Sequence, residues 1–312
     1  MTVLATLIVF GVGVGIVVVA TEQLLAGLVG VAAALRVAPF VAAVVLSGLE
    51  AENVAVGLAA GGRGDSDVAL GTAFGGAIFV LCIALGVGAL IAPLRVHLPR
   101  GVVLLVPAAA LLAGLPIAFD VTPRWTGVVL LGAFGLAMGV LIRAARGHTF
   151  VDEGTVQDVE AGKRSLGRSM LLTLVGIGVV AVGGELVAAG AEGLITSVGL
   201  SGSFVGMVVT PAAIEAEEII RQVVPARRGY ADVSAGNAVG TVLYFLLFNL
   251  GLIALLTPVG VPSHARLFDW PMLVLSACVA AFFLGRGTVG RREGAVLAAV
   301  GVVYAVVHLA MS

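Results

Sequence analysis

The chain has 312 residues, 60% of them hydrophobic and 11% charged, with a net charge of −1 and a mean hydropathy of +1.16; a soluble domain is about 25% charged and 45–50% apolar. A soluble fold of this size could not bury that surface, so a lipid bilayer is the expected surrounding, and the near-zero net charge gives no argument for a nucleic-acid partner. Cys82 and Cys278 both lie in apolar runs and read as small packing residues, which gives no support to a disulfide framework or a Cys-based metal site.

Crossing roughly 30 Å of hydrocarbon takes about 20 apolar residues in a helix, and such runs recur ten times. They cover 2–35, 38–60, 68–93, 101–118 and 125–142, then 169–197, 203–224, 233–257, 270–285 and 294–311. The first run has no basic leader and outlasts a signal peptide, so it is read as a retained helix. Between the fifth and sixth runs, 144–167 is the longest polar stretch. Its Asp152, Glu153, Asp158 and Glu160 read as the solvated face of a linker.

With ten crossings the loops alternate between two sides, and 14 of the 17 basic residues fall on one of them. Only Arg63, Arg124 and Arg266 fall on the other. Short cytoplasmic loops carry the excess of Lys and Arg, so both termini are expected outside the cytoplasm in a plasma (inner) membrane.

The chain also repeats itself at a spacing of 163 to 165 residues. Glu22-Gln23-Leu24 corresponds to Glu185-Leu186-Val187, Leu49 to Val54 corresponds to Ile214 to Ile219, Asp67 to Gly75 corresponds to Asp232 to Gly240, and Pro93 falls opposite Pro258. Five crossings per half is an odd number, so the second half enters the membrane from the opposite side. The expected fold is therefore an all-α membrane protein of ten transmembrane helices in two inverted five-helix repeats, 1–143 and 168–312, joined by a cytoplasmic linker over 144–167. Secondary transporters built this way place substrate and ion sites near the midplane, where the repeats meet.

Ionisable residues inside a bilayer cost about 2.5 to 3.5 kcal/mol each on insertion scales and persist where they line a pathway or find a partner. The first repeat has Glu50, Glu52 and Asn53 within its second helix; the second has Glu215, Glu217 and Glu218 at the matching depth. Five clustered carboxylates repel one another unless cations or protons neutralise them, which is the physics of a cation or proton site. Positions three apart share a helix face, pairing Glu50 with Asn53 and Glu215 with Glu218. Glu217 has Arg221 four residues later and is open to an ordinary ion pair near the helix end.

The glycines Gly71, Gly75, Gly76, Gly236 and Gly240 follow each cluster. They read both as close-packing positions and as a means of aiming backbone or Asn237 oxygens at a hard cation. Glu22 and Glu185 suggest a structural or gating hydrogen bond. His97, His148, His264 and His308 show no metal-ligand spacing and read as loop or interfacial residues.

Together these elements resemble the calcium/cation antiporter superfamily, which includes sodium/calcium and cation/proton exchangers. Glu22 and Glu185 with their following apolar residues resemble the start of the family's repeats, and Asp67 to Gly76 and Asp232 to Thr241 resemble its later Asp-x3-Gly-Asn segment, Gly236-Asn237 being kept in the second copy. Phe204 to Pro211, followed by Ala216 to Glu218, is similar to the proton-exchanger version.

The resemblance implies alternating-access exchange of inorganic cations, Ca2+ in the first place, with the repeat glutamates as ligands. By alignment to the later motif, the family's glutamate falls at Asn53 and Glu218, so the repeat-one ligand is shifted to Glu50 or Glu52, and Glu50 and Glu218 are the expected metal ligands. The Thr and Ser that supply sodium ligands in sodium/calcium exchangers are missing, which favours protons as the counter-ion. No resident cofactor and no enzymatic activity are expected. Gly62-Arg63-Gly64-Asp65 has the form of an intramembrane aspartyl protease motif, but it lies in an expected external loop without an intramembrane Asp partner. A Na+ or K+ for H+ antiporter and a passive cation channel remain as alternatives.

Overall fold

The computed structural model describes residues 3–35, 43–44, 50–147, 166–195 and 201–311. In hydrocarbon every backbone polar group must be satisfied within the segment or by a protein neighbour, and these residues are nearly all helical. The helices are α1 (Val3–Leu35), α2 (Ala51–Arg63), α3 (Ser66–Ile91), α4 (Arg100–Ile117), α5 (Arg124–Gly147) and α6 (Leu166–Ile195). They continue with α7 (202–227), α8 (Ala231–Leu256), α9 (Ala265–Gly285) and α10 (Arg291–Met311).

Among the described residues seven helices are long and apolar enough to cross a membrane, those seven being α1, α3, α4, α5, α8, α9 and α10. The chain is an integral membrane protein. Its outer faces carry large apolar side chains such as Leu136 and Leu267, 74% and 79% exposed, as a lipid-facing surface requires. The Asp- and Glu-containing linker falls within 148–165, outside the described residues.

Helices α3 and α8 form the centre. Leu70, Phe74, Ile78, Leu81 and Leu85 of α3 and Phe245, Leu246 and Leu250 of α8 are fully buried in one continuous core. A smaller core joins Ala20, Leu24, Leu25 and Leu28 of α1 to Val180 of α6 and Val233 of α8. Helices α1 and α6 thus run against each other as a pair with apolar contacts of their own.

Corresponding features recur at an offset of 165 residues. Helices α3 and α8 each span 26 residues, and each widens into a π-helical stretch, at Phe79–Ala84 and Tyr244–Asn249. Gly64 and Gly229 both adopt the left-handed conformation, φ 78° and 83°, in the tight turns α2–α3 and α7–α8. Only glycine takes that conformation without steric cost. The Gly62–Asp65 segment is therefore the end of one helix and the start of the next: Gly64 stops α2, and Asp65 accepts a hydrogen bond from the Val68 amide to cap α3. A two-residue antiparallel ladder, β1 (Leu94–Arg95) with β2 (Thr288–Val289), ties the loop after α3 to the start of α10.

Two expected helices differ in detail. In the run at 38–60, residues 43–44 and the stretch from Ala51 are helical, and Glu50 stands outside the helix at φ −92°, ψ 77°. The run at 203–224 is broken internally. Pro211 cannot donate to the Met207 carbonyl, Glu215 leaves helical geometry at φ −87°, ψ 2°, and Glu215–Glu217 form a single 3-10 turn before the helix resumes at Glu218.

The glycines of α3 let α7 approach backbone to backbone. A methyl group on Gly71 would run into the Gly206 carbonyl, and one on Gly75 into that of Met207. By contrast, a methyl on Gly132 of α5 would meet nothing. Overpacking costs about 1–3 kcal/mol, so Gly71→Ala is expected to lower the melting temperature in detergent while Gly132→Ala leaves it unchanged. Equal melting of the two variants would refute the close α3–α7 contact.

Candidate cation site

The start of α2 and the interrupted stretch of α7 meet at the protein centre. Glu50 sits just ahead of α2, and Glu215 and Glu217 sit in the 3-10 turn of α7. With Glu218, the first residue of the resumed helix, these four carboxylates are buried, Glu218 completely. The break in α7 brings its members together: in a continuous helix Glu215 and Glu217 would point to nearly opposite sides.

Arg221 lies at the middle of the cluster and is only 5% exposed. Its guanidinium donates to Glu50 Oε1 at 2.6 Å, pairs with Glu218, and lies 3.5 Å from Glu217 Oε1. The expected pairing of Arg221 with Glu217 is thus the longest of the three, and Arg221 is a member of the cluster rather than a cap at the helix end. The physical reason is the break itself, which turns one face of α7 toward Glu50 of the other half.

Amides complete the site. Asn53 Nδ2 donates to Glu215 Oε1 at 2.6 Å, Asn237 Nδ2 to Glu218 Oε2 at 2.6 Å, and Gln222 Nε2 to the same oxygen at 3.4 Å. Gln222 is itself oriented by Ser234, whose hydroxyl donates to Gln222 Oε1 at 2.7 Å. On the α2 side, Asn249 Nδ2 donates to Thr72 Oγ1 at 3.2 Å. The carbonyl oxygens of Asn53 and Asn249 are buried and complete no hydrogen bond among the described residues. Such oxygens suit a hard cation.

The site therefore gathers Glu50, Asn53, Glu215, Glu217, Glu218 and Asn237 of the sequence expectations. The expected face-sharing pair of Glu50 with Asn53 is replaced: Asn53 binds Glu215 across the halves, and Glu50, outside the helix, binds Arg221. The Glu52 and Glu185 side chains lie outside the described residues. Glu22 is exposed and pairs with Arg228 at 2.5 Å, a surface contact between α1 and the end of α7. Sequence reasoning did not single out Gln222, Ser234 and Asn249; their signal is Gln222 one helical turn after Glu218, and Ser234 and Asn249 as polar residues within the apolar run of α8.

The sequence model of the family described as sodium/calcium exchanger protein matches residues 5–143 and 168–310. The chain belongs to this sodium/calcium exchanger family. It is a transporter family, not an enzyme family. Relatives include the inner membrane protein YrbG of Escherichia coli, 26% identical over 249 residues that cover 78% of this chain and 77% of the relative. The putative antiporter CaxA of Alkalimonas amylolytica is 27% identical over 125 residues, 40% of this chain and 39% of that protein. A solved structure of the sodium-calcium exchanger NCX_Mj superposes with a TM-score of 0.80 at 19% identity, covering 97% of this chain and 98% of that one, which is a likeness of fold.

A second polar cluster lies apart from the carboxylates of this exchanger-family chain. His264, in the turn before α9, stands between two carboxylates: Nδ1 is 2.8 Å from Asp269 Oδ2 and Nε2 is 3.1 Å from Asp67 Oδ1. Asp269 is fully buried, accepts from the Tyr304 hydroxyl at 3.0 Å, and has His308 Nε2 3.3 Å from its Oδ1. The expectation that the histidines are loop or interfacial residues is corrected here for His308, which is 1% exposed inside α10. The clue in the sequence was Asp269 at the edge of an apolar run, together with Tyr304 and His308 one turn apart on the last helix.

Hydrogen bonds to Asp269 and Asp67 push the His264 imidazole from 6.5 up to about 9. A pKa raised on folding contributes stability that is full below about pH 6.5 and is lost as pH rises through about 9. The melting temperature is therefore expected to fall over that interval, and to fall less steeply in His264→Gln. Parallel pH profiles for the two proteins would refute the assignment. For the carboxylate cluster, removing one partner of a buried ion pair costs about 3–5 kcal/mol, and Arg221 holds two carboxylates closely. Arg221→Gln is expected to destabilise the protein strongly and Glu217→Gln much less, as read by thermal melting; the reverse order would contradict the bridging role of Arg221.

Proposed function

We propose that this chain is a secondary active antiporter that exchanges Ca2+ for H+, or for Na+, by alternating access, with Glu50 and Glu218 as the principal ion ligands. Glu52, Asn53, Glu215, Glu217 and Asn237 complete the cation- and proton-binding set. The observation that carries this reading is the convergence of four buried carboxylates from both halves of the chain, at the start of α2 and at the break in α7, against a single guanidinium. Such an excess of negative charge out of water calls for cations or protons. Carboxylates that hold a proton in one state and a cation in another couple the two fluxes without further machinery.

The architecture proposed with it is ten crossings in two inverted repeats, 1–143 and 168–312, with both termini on the non-cytoplasmic side. Three observations support it: the offset of 165 residues between corresponding glycine turns and π-helical stretches; the separate matches of the family to each half; and the division of basic residues between loops. Ion sites at discontinuous helices where two repeats meet are the general plan of such transporters.

Arg221 favours a second reading. A fixed positive charge paired with Glu50 and Glu218 lowers the charge available to a divalent ion, and the hydroxyl ligands of sodium sites are missing beside the glutamates. A monovalent cation/proton exchanger fits that balance.

The full chain reconstituted in liposomes with separately imposed Ca2+, Na+ and pH gradients tests both readings. Proton-driven Ca2+ uptake reduced about 100-fold or more by Glu218→Gln and by Glu50→Gln is expected, by analogy with loss of a partner in a charged site. Uptake untouched by both substitutions would overturn the ligand assignment. Na+ or K+ flux in place of Ca2+ would establish the second reading, and flux that needs no counter-ion would indicate a channel.

A further inference from the structure

The His264, Asp269 and His308 side chains form a group of a kind the carboxylate cluster does not contain. Each offers one ligand atom, and these atoms lie within 4.8 Å of one another. Two are imidazole nitrogens and one is a carboxylate oxygen. That donor set suits Zn2+ and similar borderline ions, whereas Ca2+ takes six to eight oxygens.

Three further observations point to a ligand. His308 is almost completely buried and faces the group across a ring-to-ring distance of 5.3 Å to His264; its Nδ1 completes no hydrogen bond among the described residues, and its Nε2 lies 3.3 Å from Asp269 Oδ1. Burying polar groups without partners is costly, and a ligand at this place would remove that cost. His264 has Nδ1 toward Asp269 and Nε2 toward the Asp67 carboxylate at 3.1 Å. A metal-bound histidine typically donates its second N–H to a carboxylate in this way, which fixes its tautomer. Tyr304 in turn holds Asp269 by a hydrogen bond.

We infer that the His264–Asp269–His308 group is a binding site for one divalent transition-metal ion of the Zn2+ class, separate from the transport site, with Asp67 orienting His264. The ligands come from α9, the turn ahead of it and α10, and Asp67 stands on the first turn of α3. A bound ion therefore ties the outer helices to the start of the central one. Binding displaces the proton on His264, as metal binding to imidazole generally does.

Isothermal titration of the full-length protein in detergent with Zn2+, and visible absorption with Co2+ as a spectroscopic stand-in, test the inference. One equivalent per chain is expected, with a Co2+ spectrum of low coordination number. His308→Ala should abolish that spectrum, and Asp67→Asn should weaken binding about 10- to 100-fold. Glu218→Gln, in the transport cluster, should leave Zn2+ binding unchanged, and excess Ca2+ should not compete. His264→Gln, at a partly exposed position, serves if His308→Ala does not fold, which size-exclusion chromatography reports. The inference is overturned if the wild type binds no Zn2+, if folded histidine variants bind it equally well, or if Glu218→Gln removes it.

Discussion

The ion pairs of Arg221 with Glu50 and Glu218 join the two halves of this membrane protein at its most polar point. Away from water, four carboxylates within reach of one another would drive α2 and α7 apart. One guanidinium with several donors in a fixed plane can bridge carboxylates from different helices, where the compact ammonium of a lysine would favour one. The pairing requires that Glu50 lie outside the regular helix and that α7 tighten at Glu215–Glu217. The irregular backbone is tolerated because it is enclosed by protein.

That enclosure is the work of α3 and α8. Their small residues allow backbone contact with neighbouring segments: Gly71 and Gly75 against 206–207 of α7 on one side, and Gly240 against Val44 on the other. The same two helices present Thr72 and Asn237, equivalent positions in the two halves, toward the polar centre. The correspondence is close but unequal. Asn237 bonds Glu218 directly, whereas Thr72 meets Asn249, and Gln222 stands where the first half has Gly57. Most of the neutral hydrogen-bond donors therefore gather on the Glu218 side.

The starts of α3 and α8 are tied down in related ways. Asp232 accepts from the His97 amide at 2.7 Å, and Asp67 meets His264, so each central helix begins on a contact with the loop that follows the other. Such an Asp lies in the first turn, where the helix dipole favours negative charge. In the Asp67 case the contact extends into the buried Asp269–His308–Tyr304 group.

The membrane character, the helix positions, the 165-residue correspondence and the acidic stretches are all local or periodic properties, and the sequence by itself determined them: apolar length decides what lies in lipid, and repetition survives in residue order. It also marked Gly71 and Gly75 as packing positions, since glycine is used where a Cβ does not fit. Tertiary structure alone decided which carboxylates meet which partner. Arg221 is four residues from Glu217, yet it lies nearer Glu50, 171 residues away, because the break at Glu215 rotates the following turn. His264 and His308 are 44 positions apart and join only because α9 and α10 pack side by side. Contacts across helices depend on rotation and on the exact site of a kink, and the energy that fixes both comes from the packing of the whole bundle.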